Sequence, residues 1–561
     1  MRVELRVGFA PVRRAAALVA CAALLAGGRA YAQPDASARR ASAGAGARPN
    51  IVLIVADDLG YSDVGAFGSE IPTPNIDALA RGGVMLTQFY ASMTCSPTRA
   101  MLFSGTDNHV AGLGVMGVPS NPAQRGRLGY EGRLNFRVAS LAQLLRDAGY
   151  RTYMTGKWHL GYEVDTGPVA RGFDRAFVSL DGAAHLGGLS WNGPGLAPYR
   201  DGDHLVNVGE DFYSTRFYTE RMIEYLEADR ADDRPFFAYL AYTAPHWPLQ
   251  APPESIARFS GWYDDGWDAL YRRRLERAKA LGLAPADFAG TPPVEGQPRW
   301  EDLSPEEQRI EARKMEIYAA MVSDLDAYIG RFLDYLESIG ERENTFIFFM
   351  SDNGPEALRR DLTPLLKRWV ETCCDNSYEN LGAGDSYVMY GPNWARAGTV
   401  PFRGAKQTAY EGGIRVPAIA HFPGVIQEGA RSDAFATVMD LLPTFLALAD
   451  TEHPGESYRG HPVAPVRGRS LLPLLAGERG AVHDGEEYVG WELFGHRAVR
   501  QGDWKIVWDP REGEAAQWRL FNLAEDPGEQ HDLREAQPER FRALLGLWDR
   551  YVEESGVILV E

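Results

Sequence analysis

The chain has 561 residues, of which 45% are hydrophobic and 24% charged, an ordinary globular composition that can bury a large core. Its formal net charge of -18 excludes a nucleic-acid backbone or an anionic membrane surface as the main partner. An anionic ligand would need a local cluster of cations.

Arg2, Arg6, Arg13 and Arg14 precede an apolar run from Ala15 to Ala26, and Ala30-Tyr31-Ala32 fits small-x-small cleavage before Gln33. Residues 1–32 therefore read as an export signal with cleavage after Ala32. The run is too short to span a bilayer, which implies a periplasmic or secreted protein without stable membrane insertion. Leu18-Val19-Ala20-Cys21 also resembles a lipoprotein box, but apolar residues continue past Cys21 where such a signal turns polar. Residues 33–48 are small, polar and Gly/Ala-rich, a flexible lead-in.

Order is expected from Asn50. Ile51 to Ala56 is a short, β-branched apolar run, as in a strand buried on both faces, and it ends in Asp57-Asp58-Leu59-Gly60. Cys95-Ser96-Pro97-Thr98-Arg99 leads into apolar residues that fit a helix, placing Cys95 near a helix N-terminus. Residues 139–148 fit a helix, and Gly156-Lys157-Trp158-His159-Leu160 follows. Pro235 to Tyr242 reads as a second buried strand, ending in Thr243-Ala244-Pro245-His246. Residues 253–310, rich in Pro, Trp and charge, look like a surface insertion. A long amphipathic helix is expected over Glu311 to Ser338, then a third strand, Thr345 to Met350, running into Ser351-Asp352-Asn353-Gly354. Strands alternating with helices indicate an α/β fold with a large, mostly parallel sheet. From residue 452 the pattern changes to antiparallel strands (487–493, 496–509, 518–523) and a helix from Pro538 to Ser555. The domains are thus 49–451 and a smaller C-terminal α+β subdomain, 452–561.

Three strand ends carry polar residues, and in open α/β sheets that edge binds ligands. Asp57, Asp58, Asp352 and Asn353 offer hard oxygen donors, a set that suits Ca²⁺ or Mg²⁺ and lacks the imidazole and thiolate that zinc prefers. Lys157 and His159 lie two residues apart and share a face if the segment is extended. His246 sits between prolines. Lys406 precedes the tight turn implied by Gly412-Gly413. With the signal removed, the cysteines are Cys95, Cys373 and Cys374, which is no disulfide framework. The adjacent Cys373-Cys374 pair is open to a vicinal disulfide, though two ordinary side-chain positions are the expectation.

Cys-x-Pro-x-Arg together with Gly-Lys-Trp-His-Leu resembles the formylglycine-dependent (type I) sulfatases of the alkaline phosphatase superfamily, most of all bacterial arylsulfatases. The likeness runs from Asn50 to the C-terminus and includes Pro235 to Leu240, Ala244 to Gln250 and Tyr387 to Pro392. It implies an alkaline-phosphatase-like fold and the hydrolysis of aryl or alkyl sulfate esters. A separate maturation enzyme would oxidise Cys95 to formylglycine. One Ca²⁺ would be bound by Asp57, Asp58, Asp352, Asn353 and an oxygen of residue 95. Arg99 would hold the hydrated aldehyde, Lys157 and Lys406 the sulfate, and His159 and His246 would move protons. The rival readings are a phosphonate monoester or phosphodiester hydrolase of the same superfamily, and a non-catalytic calcium-dependent binding protein. Residues 181–215, with His185 and Trp191, are candidates for lining the substrate pocket.

Overall fold

The computed structural model describes residues 48–559 except 183, 191, 192 and 194, so the expected export signal, nearly all of the lead-in and Trp191 lie outside the described residues. An eleven-stranded sheet forms the centre. In chain order its strands are β1 (Asn50–Ala56), β2 (Val84–Tyr90), β3 (Arg151–Lys157), β4 (Arg175–Ser179), β5 (Tyr199–Asp201), β6 (His204–Val206), β7 (Phe236–Ala241), β8 (Thr345–Ser351), β9 (Arg415–His421), β10 (Ala430–Ser432) and β11 (Ala436–Thr437). They lie side by side in the order β10-β2-β9-β8-β1-β7-β3-β4-β5-β6, with β11 on β2. The run β8-β1-β7-β3-β4 is parallel, whereas β9 is antiparallel to both β8 and β2.

The period of two explains why these strands read as unbroken apolar runs. Along β1, Val52 and Ile54 enter one core, and Ile51, Leu53 and Val55 enter the other. Helices cover both faces, so neither set of side chains meets water. The helices include α1 (Cys95–Ser104), α2 (Leu141–Asp147), α3 (Ser214–Ala228), α4 (Gly266–Ala280), α5 (Pro305–Ser338), α6 (Pro364–Cys373) and α7 (Pro538–Ser555).

Four details differ from the sequence expectations. Helix α5 starts at Pro305 rather than Glu311, because Ser304 and Glu307 form a capping box with Pro305 in the first turn. Residues 253–310 are not merely a surface insertion. Trp267, Leu270, Tyr271 and Leu275 of α4 join the main core, and fully buried Arg274 hydrogen-bonds Asp63 and, at 2.8 and 2.9 Å, Glu70. The single strand expected over 496–509 is a hairpin, since Gly502 at φ +57° turns the chain. Cys373 and Cys374 are joined in a vicinal disulfide rather than occupying separate positions.

After a short hairpin, β12 (Ser457–Tyr458) with β13 (His461–Pro462), comes an antiparallel sheet of β14 (Tyr488–Leu493), β15 (His496–Gln501), β16 (Trp504–Trp508) and β17 (Arg519–Asn522). Helix α7 packs on one face of it through Leu544, Trp548 and Tyr551. The other face docks on Tyr90, Met93, Tyr410 and Ile414 through Trp491, Leu493 and Phe521. Among the described residues no helix is long and apolar enough to cross a membrane.

Buried charges also tie this sheet to the rest. His109 Nδ1 is 3.0 Å from Asp107 and Nε2 3.0 Å from Glu492 of β14, while Tyr551 of α7 donates to Asp107 at 3.0 Å. Burial would lower the imidazole's pKa, but its two carboxylate partners outweigh that and push it up to about 9. A raised pKa stabilises the fold fully below the ordinary value near 6.5, and the gain is lost as the pH rises towards 9. The thermal midpoint should therefore fall across this window, by the equivalent of roughly 3 kcal/mol. In His109→Gln it should be lower at pH 6, and its fall towards pH 9 shallower than that of the wild type. Parallel pH slopes in the two proteins would count against the charged imidazole.

Candidate active site

The site is assembled at the C-terminal edge of the parallel strands. β1 delivers Asp57 and Asp58, and β8 delivers Asp352 and Asn353, all completely or almost completely buried. β3 ends on Lys157. Beyond it the chain bends rather than staying extended, with His159 in the left-handed region at φ +54°. The segment after β7 carries His246 between the prolines at 245 and 248. Cys95 is the first residue of α1, where the helix dipole favours negative charge. Lys406 is fixed by its backbone N–H, which donates to Pro355 O at 3.0 Å.

Cations and carboxylates interlock here. Lys157 Nζ lies 2.7 Å from Asp57 Oδ2, and Lys406 Nζ lies 2.6 and 2.9 Å from the two oxygens of Asp58. Arg99 donates to Asp352 Oδ2 from Nε at 3.0 Å and from Nη2 at 2.8 Å, and its Nη1 donates to Lys157 O and Tyr239 Oη. Burial alone would raise Asp57, yet Lys157, with His246, Arg99 and Lys406, holds it well below the usual carboxylate range. Asp58 is raised, because burial and the neighbouring Asp57 outweigh Lys406. Burial and Asp57 push Asp352 up to about 7. Such crowding of carboxylates is relieved by added positive charge.

The donor set fits a hard dication. Asp57 Oδ1 and Asn353 Oδ1 are buried without a hydrogen-bond partner, and buried acceptors in that condition call for a ligand. Ligand atoms of Asp57, Asp58, Cys95 and His246 also lie within 4.8 Å of one another. The Cys95 thiol marks the place that any modified side chain at this position would take. Burial and then Asp57 push that thiol up to about 12, so it is not a thiolate at neutral pH.

Burial, reinforced by Lys157 and Arg99, keeps His159 neutral, and burial with Lys406 does the same for His246. His246 Nδ1 lies 2.5 Å from Trp247 O, an acceptor, so Nδ1 carries the proton and Nε2 faces Asp58 Oδ2 at 3.6 Å. Asp57, Asp58, Cys95, Arg99, Lys157, His159, His246, Asp352, Asn353 and Lys406 thus meet in one place. Sequence reasoning missed Glu356, which lies 3.9 Å from Lys406 and accepts from Trp247 Nε1 at 3.3 Å. It also missed the part played by His185. That side chain is completely buried, and its Nε2 donates to His246 O at 2.6 Å. Neither residue stands at a strand end, so no local signal marked them.

A mostly parallel sheet with helices on both faces, a carboxylate cluster at its strand ends and an appended antiparallel sheet define an alkaline-phosphatase-like hydrolase. The sequence profile described as "Sulfatase" matches residues 49–451, and that of the "N-sulphoglucosamine sulphohydrolase, C-terminal" region matches 404–545. An uncharacterised sulfatase of Schizosaccharomyces pombe is 45% identical over 526 residues, covering 91% of this chain and 94% of its own. The arylsulfatase of Klebsiella aerogenes is 39% identical, covering 76% of this chain and 92% of its own. The crystal structure of Ps i-CgsB superposes with a TM-score of 0.64 at 25% identity, covering 90% of this chain and 92% of that one. The chain belongs to the sulfatase family and is a sulfuric ester hydrolase.

Proposed function

We propose that this sulfatase is an exported arylsulfatase that cleaves aryl or alkyl sulfate esters through formylglycine made from Cys95, with one Ca²⁺ in the site. One observation supports this reading above the others. Asp57 Oδ1 and Asn353 Oδ1 lie buried without a hydrogen-bond partner, and Asp57, Lys157, Lys406, Asp352 and Arg99 act on the protonated thiol of residue 95. The ion would be held by Asp57, Asp58, Asp352, Asn353 and an oxygen of residue 95, and when bound it supplies positive charge that acidifies a nearby hydroxyl. The hydrated aldehyde at residue 95 supplies a nucleophilic oxygen and a second hydroxyl for expelling the product.

The chain's own side chains do the rest. Lys157 and Lys406, both almost completely buried, neutralise the sulfate oxygens that would repel a nucleophile. Arg99 adds its charge beside residue 95. His246 Nε2 protonates the departing alcohol oxygen once an anionic ester has raised its affinity for a proton. His159, already neutral, takes the proton of the second hydroxyl, so that the sulfate leaves and the aldehyde re-forms.

The decisive comparison is the rate on nitrophenyl sulfate against that on nitrophenyl phenylphosphonate. Sulfate should be preferred, and a preference for the phosphonate would make this a phosphonate monoester hydrolase. The protein as isolated from its natural host should also be about 18 Da lighter than its sequence at the Cys95 peptide. Chelation should abolish activity and lower the thermal midpoint, and Ca²⁺ should restore both, because a ligand of the native state alone stabilises it. Full activity after complete metal removal would overturn the metal assignment.

A further inference from the structure

Glu356 is a fourth buried carboxylate in a site built for an anion, and the reading above gives it no task. It is 3% exposed, its Oε1 accepts from Leu358 N–H at 2.9 Å, and its Oε2 accepts from Trp247 Nε1–H at 3.3 Å. Burial and the neighbouring Asp58 raise its carboxyl above the usual range, and two N–H donors with an ammonium at 3.9 Å work against them in support of the charged form. It does not belong to the cluster of converging ligand atoms around residue 95. Instead it stands beside Lys406, whose ammonium lies 2.6 Å from Asp58 and 3.9 Å from Glu356. Asp58, Lys406 and Arg360 are the charged groups that act on it.

The consequence follows from Coulomb's law. A fixed negative charge near a bound anion costs energy in proportion to the anion's own charge, and burial leaves that cost weakly screened. A sulfate monoester carries one negative charge, and so do phosphodiesters and phosphonate monoesters. A phosphate monoester carries two above its second pKa near 6. Against Arg99, Lys157, Lys406 and the dication of the proposed site stand Asp57, Asp58 and Asp352, and Glu356 trims the positive surplus from two charges to one, which matches a singly charged ester. Resting on the proposed sulfatase chemistry, we infer that Glu356 is a specificity-determining residue that favours singly charged esters and rejects doubly charged phosphate monoesters.

Glu356→Gln keeps an acceptor oxygen for the Leu358 and Trp247 N–H groups and removes only the charge. The measurement is kcat/KM on nitrophenyl phosphate divided by that on nitrophenyl sulfate, a ratio in which differences in maturation or folded fraction cancel. At pH 8 the ratio should rise at least tenfold in Glu356→Gln, and at pH 5, where the phosphate ester carries one charge, less than threefold. Trp247→Phe, which removes one donor but no charge, should leave the ratio unchanged. A ratio that stays within threefold at pH 8, or that rises equally at both pH values, overturns the inference.

A second arm needs no variant. In the wild type, the rate on nitrophenyl phosphate should fall above pH 6 relative to that on bis(nitrophenyl) phosphate, which holds one charge throughout. Identical pH profiles for the two would also overturn it. If the matured wild type releases no sulfate from nitrophenyl sulfate, the sulfatase reading itself has failed, which is a distinct result.

Discussion

Replacing Cys95 with serine should leave a folded protein that reacts with sulfate ester once and then stops. The serine hydroxyl can displace the alcohol from sulfur, forming a serine sulfate and breaking the bond to the leaving oxygen. It has no second hydroxyl whose deprotonation would expel that sulfate. Multiple turnover should fall by at least ~10³-fold, while mass spectrometry of the protein finds a covalent sulfate adduct at residue 95. Cys95→Ala should be equally inactive without forming the adduct. Neither change creates much of a cavity, since the side chain begins α1 and only one heavy atom is altered or lost, so the thermal midpoint should move little. Steady turnover by the serine variant would sink the aldehyde mechanism. A large loss of stability in both variants would make Cys95 a packing residue.

The centre of this site was legible because its parts lie where strand geometry puts them. An unbroken β-branched run followed by Asp57-Asp58, and another followed by Asp352-Asn353, places oxygen donors at one edge of a parallel sheet, whichever helices lie between. Cys95 at the start of a helix was readable from Pro97 and the apolar residues after it. What escaped depends on pairings between distant segments. Arg274 is a charged residue in a stretch that looks like surface, and only its meeting with Asp63 and Glu70 makes it a core residue. His185 acts through the carbonyl of His246, a backbone atom that leaves no trace in residue type. Glu356 follows Gly354-Pro355 in a loop, and its neighbours Trp247 and Lys406 come from two other segments. The hairpin at Gly502 was missed for a simpler reason, since a single glycine within an alternating pattern does not distinguish a turn from a bulge.

Lys505→Met should destabilise the protein by about 3–5 kcal/mol, the cost of leaving buried carboxylates without their cation. Lys505 of β16 is completely buried. Its Nζ hydrogen-bonds Glu411 Oε1 at 2.8 Å and stands 2.9 Å from Glu529 Oε1, at ion-pair distance without hydrogen-bond alignment. Glu411 in turn accepts from Tyr90 Oη at 2.5 Å, and its own N–H donates to Glu529 Oε2 at 2.7 Å. Burial raises Glu411, but Lys505, Arg415 and Arg500 overcome it and hold that carboxyl down at about 2. Burial and the nearby Glu411 instead push Glu529 up to about 7. Methionine would fill the space of the aliphatic stem and remove only the charge. The deficit should therefore shrink on going from pH 8 to pH 5, because a protonated Glu529 no longer needs a cation. The network also reaches Lys406, since Glu411 opens the helical turn Glu411–Ile414 and Gly412 N–H of that turn donates to Arg403 O at 2.7 Å, bracing the segment that carries Lys406. Sulfate release should thus weaken at temperatures well below unfolding, as a cation from the C-terminal sheet ceases to hold the segment that carries Lys406. Denaturation curves at both pH values, read beside activity, test this. A variant equally unstable at pH 5 and pH 8, with unchanged activity up to its melting point, would mean that Lys505 supports the sheet alone.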